Sequence, residues 1–160
     1  MKNKGFTIVE MILYMGFLSG FLLILTRMLS TSLQTQTESE ATTSVHQDGR
    51  YIVAKLSYDL GNADTLVTPS VAGQSTSSLI FTIAPTTYTY ALSNGNLTRQ
   101  DAFGTNTLNS INTTITNFSV TRREGVGSKP TLSVSLTLQS VAKKIPGVDT
   151  QTFQTTIGMR

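Results

Sequence analysis

The sequence predicts an α+β protein in which one long N-terminal helix covers an antiparallel β-sheet. Three observations carry this prediction: an apolar run from Phe6 to Leu25, a helical stripe of apolar residues that continues to Leu60, and period-two alternation in several segments after residue 77. Period-two alternation gives a sheet one buried face, and the helix stripe is the natural cover for it. With 160 residues, the chain has room for one compact domain and an additional element.

The apolar run itself has the length of a membrane span. It holds about 20 residues, which as a helix reach roughly 30 Å, the thickness of the hydrocarbon core of a bilayer. Lys2 and Lys4 precede it, and basic residues that flank the first apolar segment stay cytoplasmic. The bulk of the chain is therefore expected outside the cell membrane. No A-x-A-like cleavage site follows Leu25, so an uncleaved signal anchor is one interpretation.

Glu10 is a carboxylate near the start of this run. Such a charge costs on the order of 2.5–3.5 kcal/mol at mid-membrane depth and usually has a partner. Arg27 lies about 25 Å further along a helix, so the partner is either the headgroup region or a group on another molecule. A cut after Gly5 would create an α-amino group on Phe6, and this cation could pair with Glu10 of a neighbouring subunit.

The residues around Glu10 carry a resemblance to a known family. The segment Lys4-Gly5-Phe6-Thr7-Ile8-Val9-Glu10 resembles the cleavage and methylation motif of type IV pilins and type II secretion pseudopilins. The resemblance implies cleavage between Gly5 and Phe6 by a prepilin peptidase, N-methylation of Phe6, and pairing of Glu10 with the amine of the adjacent subunit during assembly.

A domain organisation follows from this resemblance and the hydropathy pattern. Residues 1–5 are a leader peptide, 6–28 a membrane-spanning and filament-core helix, 29–61 its amphipathic continuation, and 62–160 a β-rich globular domain. A carboxylate at one helical register would penalise misaligned neighbours, so Glu10 is expected to set the stagger between subunits more than to add stability. A charge tolerated near the headgroups is the simpler alternative.

The second half of the helix is predicted from an apolar stripe with three- and four-residue steps. The stripe consists of Leu29, Leu33, Ala41, Val45, Gly49, Ile52 or Val53, Leu56 and Leu60. Gly61-Asn62 is a plausible stop, because glycine adopts the left-handed conformation at a helix end.

The sequence after the helix predicts strands and loops. The strand segments are 78–83, 87–92, 97–99, 115–122, 131–138 and 152–157, and the irregular segments are 61–77, 100–114, 124–130 and 142–150. Asn94-Gly95 is a hairpin turn signal between the second and third strands.

The later segments are similar to those of J-type minor pseudopilins. The similarity is carried by the Leu79–Ile83 strand, Tyr88 to Leu92, Asn94 to Arg99, Leu108-Asn109-Ser110, Asn117 to Val120, Leu132 to Leu138, Phe153 to Arg160, and the helix stretch Arg50 to Leu60. It implies a low-copy subunit near the filament tip. Arg27 departs from the pattern of major pilins, which often have a helix-bending proline there.

Composition and motifs do not favour an enzyme, and no cofactor or metal site is expected. The chain has no cysteine, which excludes disulfides, Cys-ligated zinc and thiol catalysis. His46 is the single histidine and is expected to be a solvated helix residue. The carboxylates Asp59, Asp64, Asp101, Glu124 and Asp149 are too scattered to predict a calcium site.

The charge balance argues against nucleic acid as the main partner. Without Lys2 and Lys4, 10 of the 12 basic side chains remain against 9 acidic ones, a net charge of +1. Arg122-Arg123 and Lys143-Lys144 are expected to be solvated, and phosphate contacts would be expected only in a filament for DNA uptake.

Two functions from different classes remain. The first is a minor pilin or pseudopilin, a structural subunit that starts as a single-pass protein with a cytoplasmic N-terminus and moves into an extracellular or periplasmic filament. Its implied partners are other pilin or pseudopilin subunits, the prepilin peptidase, an inner-membrane assembly platform, and lipid before assembly. The second is an uncleaved, membrane-anchored surface binding or adhesion protein.

Overall fold

The fold is α+β, as predicted. The structure, a computed structural model, describes residue 5 and residues 7–124, 129–144 and 147–159. In this part the chain forms one helix, α1, followed by strands β1 to β9. Their bounds are α1 Ile8–Gly61, β1 Thr65–Thr68, β2 Ser75–Thr76, β3 Ser78–Ile83, β4 Thr86–Ser93, β5 Asn96–Asp101, β6 Gly104–Thr107, β7 Thr113–Arg123, β8 Thr131–Lys144 and β9 Gly147–Gly158.

The chain divides into two compact units, Met1–Thr37 and Glu38–Arg160. The described residues of the first unit are almost entirely the first part of α1. Its apolar side chains are exposed, as Val9 at 76% and Phe17 at 71% illustrate. By length and composition α1 could cross a membrane, and none of the residues in its most apolar window is buried.

The second unit contains the end of α1 and the strands. The buried face of the helix consists of Ala41, Val45, Gly49, Ile52, Leu56, Asp59 and Leu60. The predicted stripe is therefore confirmed from Ala41 onwards. Leu29 and Leu33, the first two residues of the predicted stripe, are 62% and 55% exposed. They belong to the first unit, whose described residues contain no strand.

The helix ends at Gly61, as predicted, but not for the predicted reason. Gly61 does not adopt a left-handed backbone conformation. Instead, the Asn62 side-chain amide donates a 2.8 Å hydrogen bond to the Tyr58 carbonyl, and the Asn62 backbone N–H donates to the Asp59 carbonyl at 3.2 Å. These bonds satisfy carbonyls that the last helical turn leaves without partners.

The strands form two antiparallel sheets where the sequence analysis expected one. The five-stranded sheet has the order β1-β3-β4-β5-β6, and the four-stranded sheet has the order β2-β7-β8-β9. The two sheets adjoin where β7 approaches β3 and β5, which leaves β9 at the far edge. All six predicted strand segments are confirmed within β3, β4, β5, β7, β8 and β9.

The predicted Asn94-Gly95 turn is also confirmed. Both residues have positive φ, 50° and 78°, as a two-residue hairpin with the twist of the flanking strands requires. The turn joins β4 to β5, and its Gly95 carbonyl accepts a 2.8 Å hydrogen bond from the Ile115 N–H of the other sheet.

Three of the predicted irregular segments contain strands. β1 and β2 lie within 61–77, β6 lies within 100–114, and β8 and β9 extend into 142–150. The prediction is wrong there because β1, β2 and β6 have only 4, 2 and 4 residues, none of them fully buried. Without a buried face, such strands show no alternation of apolar and polar residues. Within 124–130, residues 125–128 lie outside the described part.

One hydrophobic core lies between the helix and both sheets. The helix contributes Val45, Ile52, Leu56 and Leu60. The five-stranded sheet contributes Leu79, Phe81, Tyr90 and Leu97, and the four-stranded sheet contributes Ile115, Phe118, Val120, Leu132, Val134, Leu136, Leu138 and Ile157. The amphipathic end of α1 therefore holds the two sheets together.

Candidate functional site

The predicted processing and assembly residues lie at the start of α1. Gly5 is exposed and precedes the helix, which begins at Ile8, whereas Phe6 lies outside the described residues. Thr7 caps the helix: its hydroxyl accepts a 3.3 Å hydrogen bond from the Glu10 N–H, and its carbonyl accepts one at 3.2 Å from the Met11 N–H. Thr7 and Glu10 thus occupy the Ncap and N3 positions of the helix.

This arrangement matches half of a capping box, in which a threonine and a glutamate three residues later satisfy each other's backbone N–H groups. The sequence analysis looked only for a charged partner of Glu10 and missed this local signal, although Thr7-Ile8-Val9-Glu10 shows it. A carboxylate in the first helical turn is stabilised by about 0.3–1 kcal/mol through the helix dipole. In the described residues, the Thr7 bond involves the Glu10 backbone, while no group bonds its carboxylate.

The other polar side chains of this apolar stretch have internal partners. The Ser19 and Thr26 hydroxyls donate 2.8 Å hydrogen bonds to the carbonyls of Met15 and Leu22, one turn back. Such back-bonding removes the cost of placing a hydroxyl in an apolar environment. Glu10 is half-buried, and its carboxylate has no such hydrogen bond to a described group of the helix.

A buried carboxylate whose role the sequence analysis did not predict, Asp59, lies near the other end of α1. Asp59 is 2% exposed. Its carboxylate accepts hydrogen bonds from the Tyr90 hydroxyl at 2.5 Å and the Arg99 Nε at 2.9 Å, and Lys55 lies 3.2 Å away one helical turn earlier. Three donors from α1, β4 and β5 therefore converge on one side chain.

The surroundings of Arg99 extend this cluster to the end of β5. Its Nη1 donates a 2.9 Å hydrogen bond to Asp101, and its guanidinium lies 4.4 Å from the centre of the Tyr88 ring. Asp101 also accepts bonds from the Phe103 and Gly104 N–H groups. Asp59 and Asp101, which the sequence analysis considered too scattered for a calcium site, are thus both bonded to Arg99.

The surroundings in this cluster favour the neutral form of Tyr90 and the charged forms of Arg99 and Asp101. Burial, reinforced by the hydrogen bond to Asp59, raises the pKa of Tyr90. Burial opposes the charge of Arg99, but the hydrogen bond and the charge of Asp59 outweigh it, so the pKa of Arg99 is raised. The Phe103 N–H and the charge of Arg99 lower the pKa of Asp101. The cluster fastens the end of α1 to the five-stranded sheet.

Asp48 makes a comparable connection about three helical turns earlier. Its carboxylate accepts 2.8 Å hydrogen bonds from the N–H and the hydroxyl of Ser110, and a further bond from the Thr113 hydroxyl. Asn109, in the same loop, is buried and accepts a bond from the Leu97 N–H. Asp48 therefore holds the loop between the two sheets on the helix.

His46 and Arg122 are two further side chains that the sequence analysis singled out. His46 is exposed, as predicted, and contacts the edge of the Phe153 ring with centroids 6.1 Å apart. No group of three potential metal ligands occurs among the described residues. Arg122 is not simply solvated: its Nη1 donates a 2.8 Å hydrogen bond to the Ser70 carbonyl, and its Nη2 lies 2.7 Å from Glu124. The loop that precedes β2 supplies this carbonyl, which explains the difference from the prediction.

Comparison with known proteins gives no significant match to a protein-family model, to a curated protein or to a solved structure.

Proposed function

We propose that this protein is a minor pilin or pseudopilin, a structural subunit of a type IV pilus-like filament of the secretion or competence type. Its leader is removed after Gly5 by a prepilin peptidase, and the mature chain joins the filament through α1, near the tip. The proposal depends on one observation above all: an exposed, apolar helix start that carries a single half-buried carboxylate, Glu10.

The start of α1 supports the processing step. Gly5 is exposed and, like Thr7, lies outside the helix, in the short segment that precedes Ile8. A peptidase needs such a segment, because a peptide bond inside a helix is shielded by the neighbouring turns. Removal of Met1 to Gly5 would also remove Lys2 and Lys4 and leave one new cation, the α-amino group of Phe6.

The character of α1 supports assembly. Side chains such as Phe17 and Leu23, at 71% and 66% exposure, need either lipid or other helices around them. After extraction from lipid, helices packed side by side bury this surface on one another. A carboxylate at one register favours the stagger in which it meets a cation, and the amino group of a neighbouring mature subunit supplies one.

The second unit supports a role as a displayed domain. Asp59 and Asp48 fix both sheets to the same helix that would enter the filament. Within the second unit, the end of α1 is therefore joined to both sheets.

The mass of the mature protein from its native host tests the proposal. A subunit loses Met1 to Gly5 and gains one methyl group, and it co-purifies with other small proteins that carry the same kind of leader. An intact N-terminus would instead indicate a membrane-anchored surface protein. A Gly5→Val variant provides the control, since it keeps the span but should block cleavage and incorporation together.

A further inference from the structure

The outer edge of β9 is a long, unpaired strand edge. β8 pairs with the inner side of β9, in continuous antiparallel register from Thr131 opposite Gly158 to Gln139 opposite Thr150. No other described strand pairs with β9. Since an antiparallel strand points every second N–H and C=O away from its partner, this edge presents a row of free backbone donors and acceptors.

Natural sheets usually protect such edges with short strands, lysines, prolines or bulges. The other sheet edges follow this rule, because β1, β2 and β6 have 4, 2 and 4 residues. β9 has 12 residues, and from Thr150 to Gly158 it contains no charge, no proline and no register shift. Its exposed face consists of Thr150, Thr152, Gln154 and Thr156, which suit a strand with neighbours on both sides.

A groove on the helix accompanies this edge. Phe153 of β9 lies directly over Gly49, where a Cβ atom would be 2.3 Å from the ring, and it contacts His46. His46 lines a groove of about 420 Å³ together with Thr42, Thr43, Gln47 and Arg50. No carboxylate lines this groove, and Arg50 is exposed without an ion pair to any described residue.

We propose that the β9 edge is a docking site for an extended segment of another filament subunit, which adds as a fifth strand to this sheet and places an acidic side chain over the groove at Arg50. In this mode of recognition the backbone hydrogen bonds supply affinity, and alternate side chains supply specificity. The positive charge of Arg50, with no acid beside it, selects the acidic residue. The inference rests on the proposed function, because that function supplies the neighbouring subunit.

A second copy of this chain is a less suitable occupant. The described part of the chain offers only β9 itself as an edge of matching length. Antiparallel pairing of two β9 edges creates a twofold axis perpendicular to the sheet, which reverses the direction of the helix on it. The two helices would then run in opposite directions, whereas subunits of one filament enter it from the same membrane.

Amide hydrogen exchange on the full mature chain tests the proposal. The chain is measured alone in detergent and again in the filament complex from its native membrane. We expect alternate amides between Thr150 and Gly158 to exchange at least about tenfold more slowly in the complex, equivalent to ~1.4 kcal/mol. The double variant Gln154→Lys and Thr156→Lys should lose this protection. Its matched control, Thr105→Lys and Thr107→Lys on the exposed edge of β6, should keep it.

A second comparison tests the acidic contact. Arg50→Gln should reduce the protection of β9 in the complex, whereas Arg123→Gln, which removes another exposed cation, should not. If the chain joins the complex but the β9 amides exchange as fast as in detergent, the docking site is wrong and the proposed function stands. If β9 is already protected in detergent in a concentration-dependent way, a second copy is the occupant and the proposal fails. If the chain never joins a complex, the proposed function and the docking site fall together.

Discussion

The hydroxyl of Tyr90 on β4 donates a 2.5 Å hydrogen bond to the carboxylate of Asp59 near the end of α1. The same carboxylate binds Arg99 of β5, so one buried acid joins the helix to two adjacent strands. Because Asp59 is 2% exposed, its charge is tolerated only while these donors surround it.

Removal of the Asp59 carboxylate is therefore expected to be strongly destabilising. Asp59→Ala leaves the Arg99 Nε and the Tyr90 hydroxyl without their acceptor and should lower the free energy of unfolding by about 3–5 kcal/mol. Chemical denaturation followed by circular dichroism measures the change. Glu40→Ala, at an exposed helix position, should stay within about 0.5 kcal/mol of the wild type.

If Asp59→Ala does not fold, Tyr90→Phe gives a milder test. It keeps the ring in the core and removes only the hydroxyl, so a loss of about 1–2 kcal/mol is expected. Tyr58→Phe is the matched control, because Tyr58 is 68% exposed. Equal effects of the two tyrosine variants would contradict the role assigned to the Asp59 contact.

The same cluster predicts a stability limit at high pH. Burial and the Asp59 hydrogen bond raise the pKa of Tyr90 in the folded state above its value in the unfolded chain. This contribution is fully present below the unfolded-state pKa of about 10, and it is lost as pH rises from there towards the folded-state pKa. The free energy of unfolding should thus decline above about pH 10.

Tyr90→Phe should remove the part of this decline that comes from Tyr90. Denaturant midpoints at a series of alkaline pH values measure the decline. Tyrosinate absorbance of the folded protein gives an independent check, since one tyrosine should resist deprotonation until the protein unfolds. Full titration of all tyrosines in the folded state would contradict the prediction.

The close approach of Gly49 to Phe153 makes a third prediction. A side chain at position 49 would overlap the ring, whose atoms lie 2.3 Å from an ideal Cβ position. Gly49→Val should destabilise the protein by about 1–3 kcal/mol through overpacking. Thermal unfolding measures the loss, and a second substitution, Phe153→Ala, should recover part of it.

Gly61→Ala is the control for this pair. No atom lies within 4 Å of the Cβ position of Gly61, and its backbone is not left-handed, so the change should stay within about 1 kcal/mol. If Gly49→Val were as well tolerated as Gly61→Ala, the contact between helix and β9 would be looser than the structure describes.

The parts of the fold that the sequence predicts are those with a long periodic pattern. α1 repeats its apolar stripe from Ala41 to Leu60, and β8 alternates between buried and half-buried residues from Leu132 to Leu138, so both periods are readable. β1, β2 and β6 are too short and too exposed to show a repeating pattern of apolar residues. The split into two sheets depends on which strands pair, and no local pattern specifies that.

The candidate sites also differ in whether the sequence alone could have predicted them. The Thr7–Glu10 cap is local and could have been read from the spacing of the two residues. The partners of Asp59 could not, because Tyr90 and Arg99 lie 31 and 40 residues away along the chain. Asp59 nevertheless gave one signal: it lies beside Leu60 on the predicted apolar stripe, where a carboxylate requires a partner.

Glu10 carries the last prediction, because its proposed partner belongs to another molecule. Glu10→Val removes an insertion cost of about 2.5–3.5 kcal/mol, so membrane insertion and cleavage after Gly5 should persist. Incorporation into the filament should fall by at least about tenfold, since misaligned neighbours are no longer penalised. The ratio of filament-bound to membrane-bound protein in the native host measures this.

Two matched variants separate the register role of Glu10 from simpler effects. Ser19→Val also replaces a polar side chain by an apolar one, but the Ser19 hydroxyl bonds only its own helix, so incorporation should be normal. Thr7→Ala removes the helix cap at a cost of about 1 kcal/mol and keeps the carboxylate. If Thr7→Ala impaired incorporation of the cleaved chain as much as Glu10→Val, the helix cap would account for the effect. A defect confined to Glu10→Val requires instead a cation on the neighbouring subunit, because no described group of the same chain bonds that carboxylate.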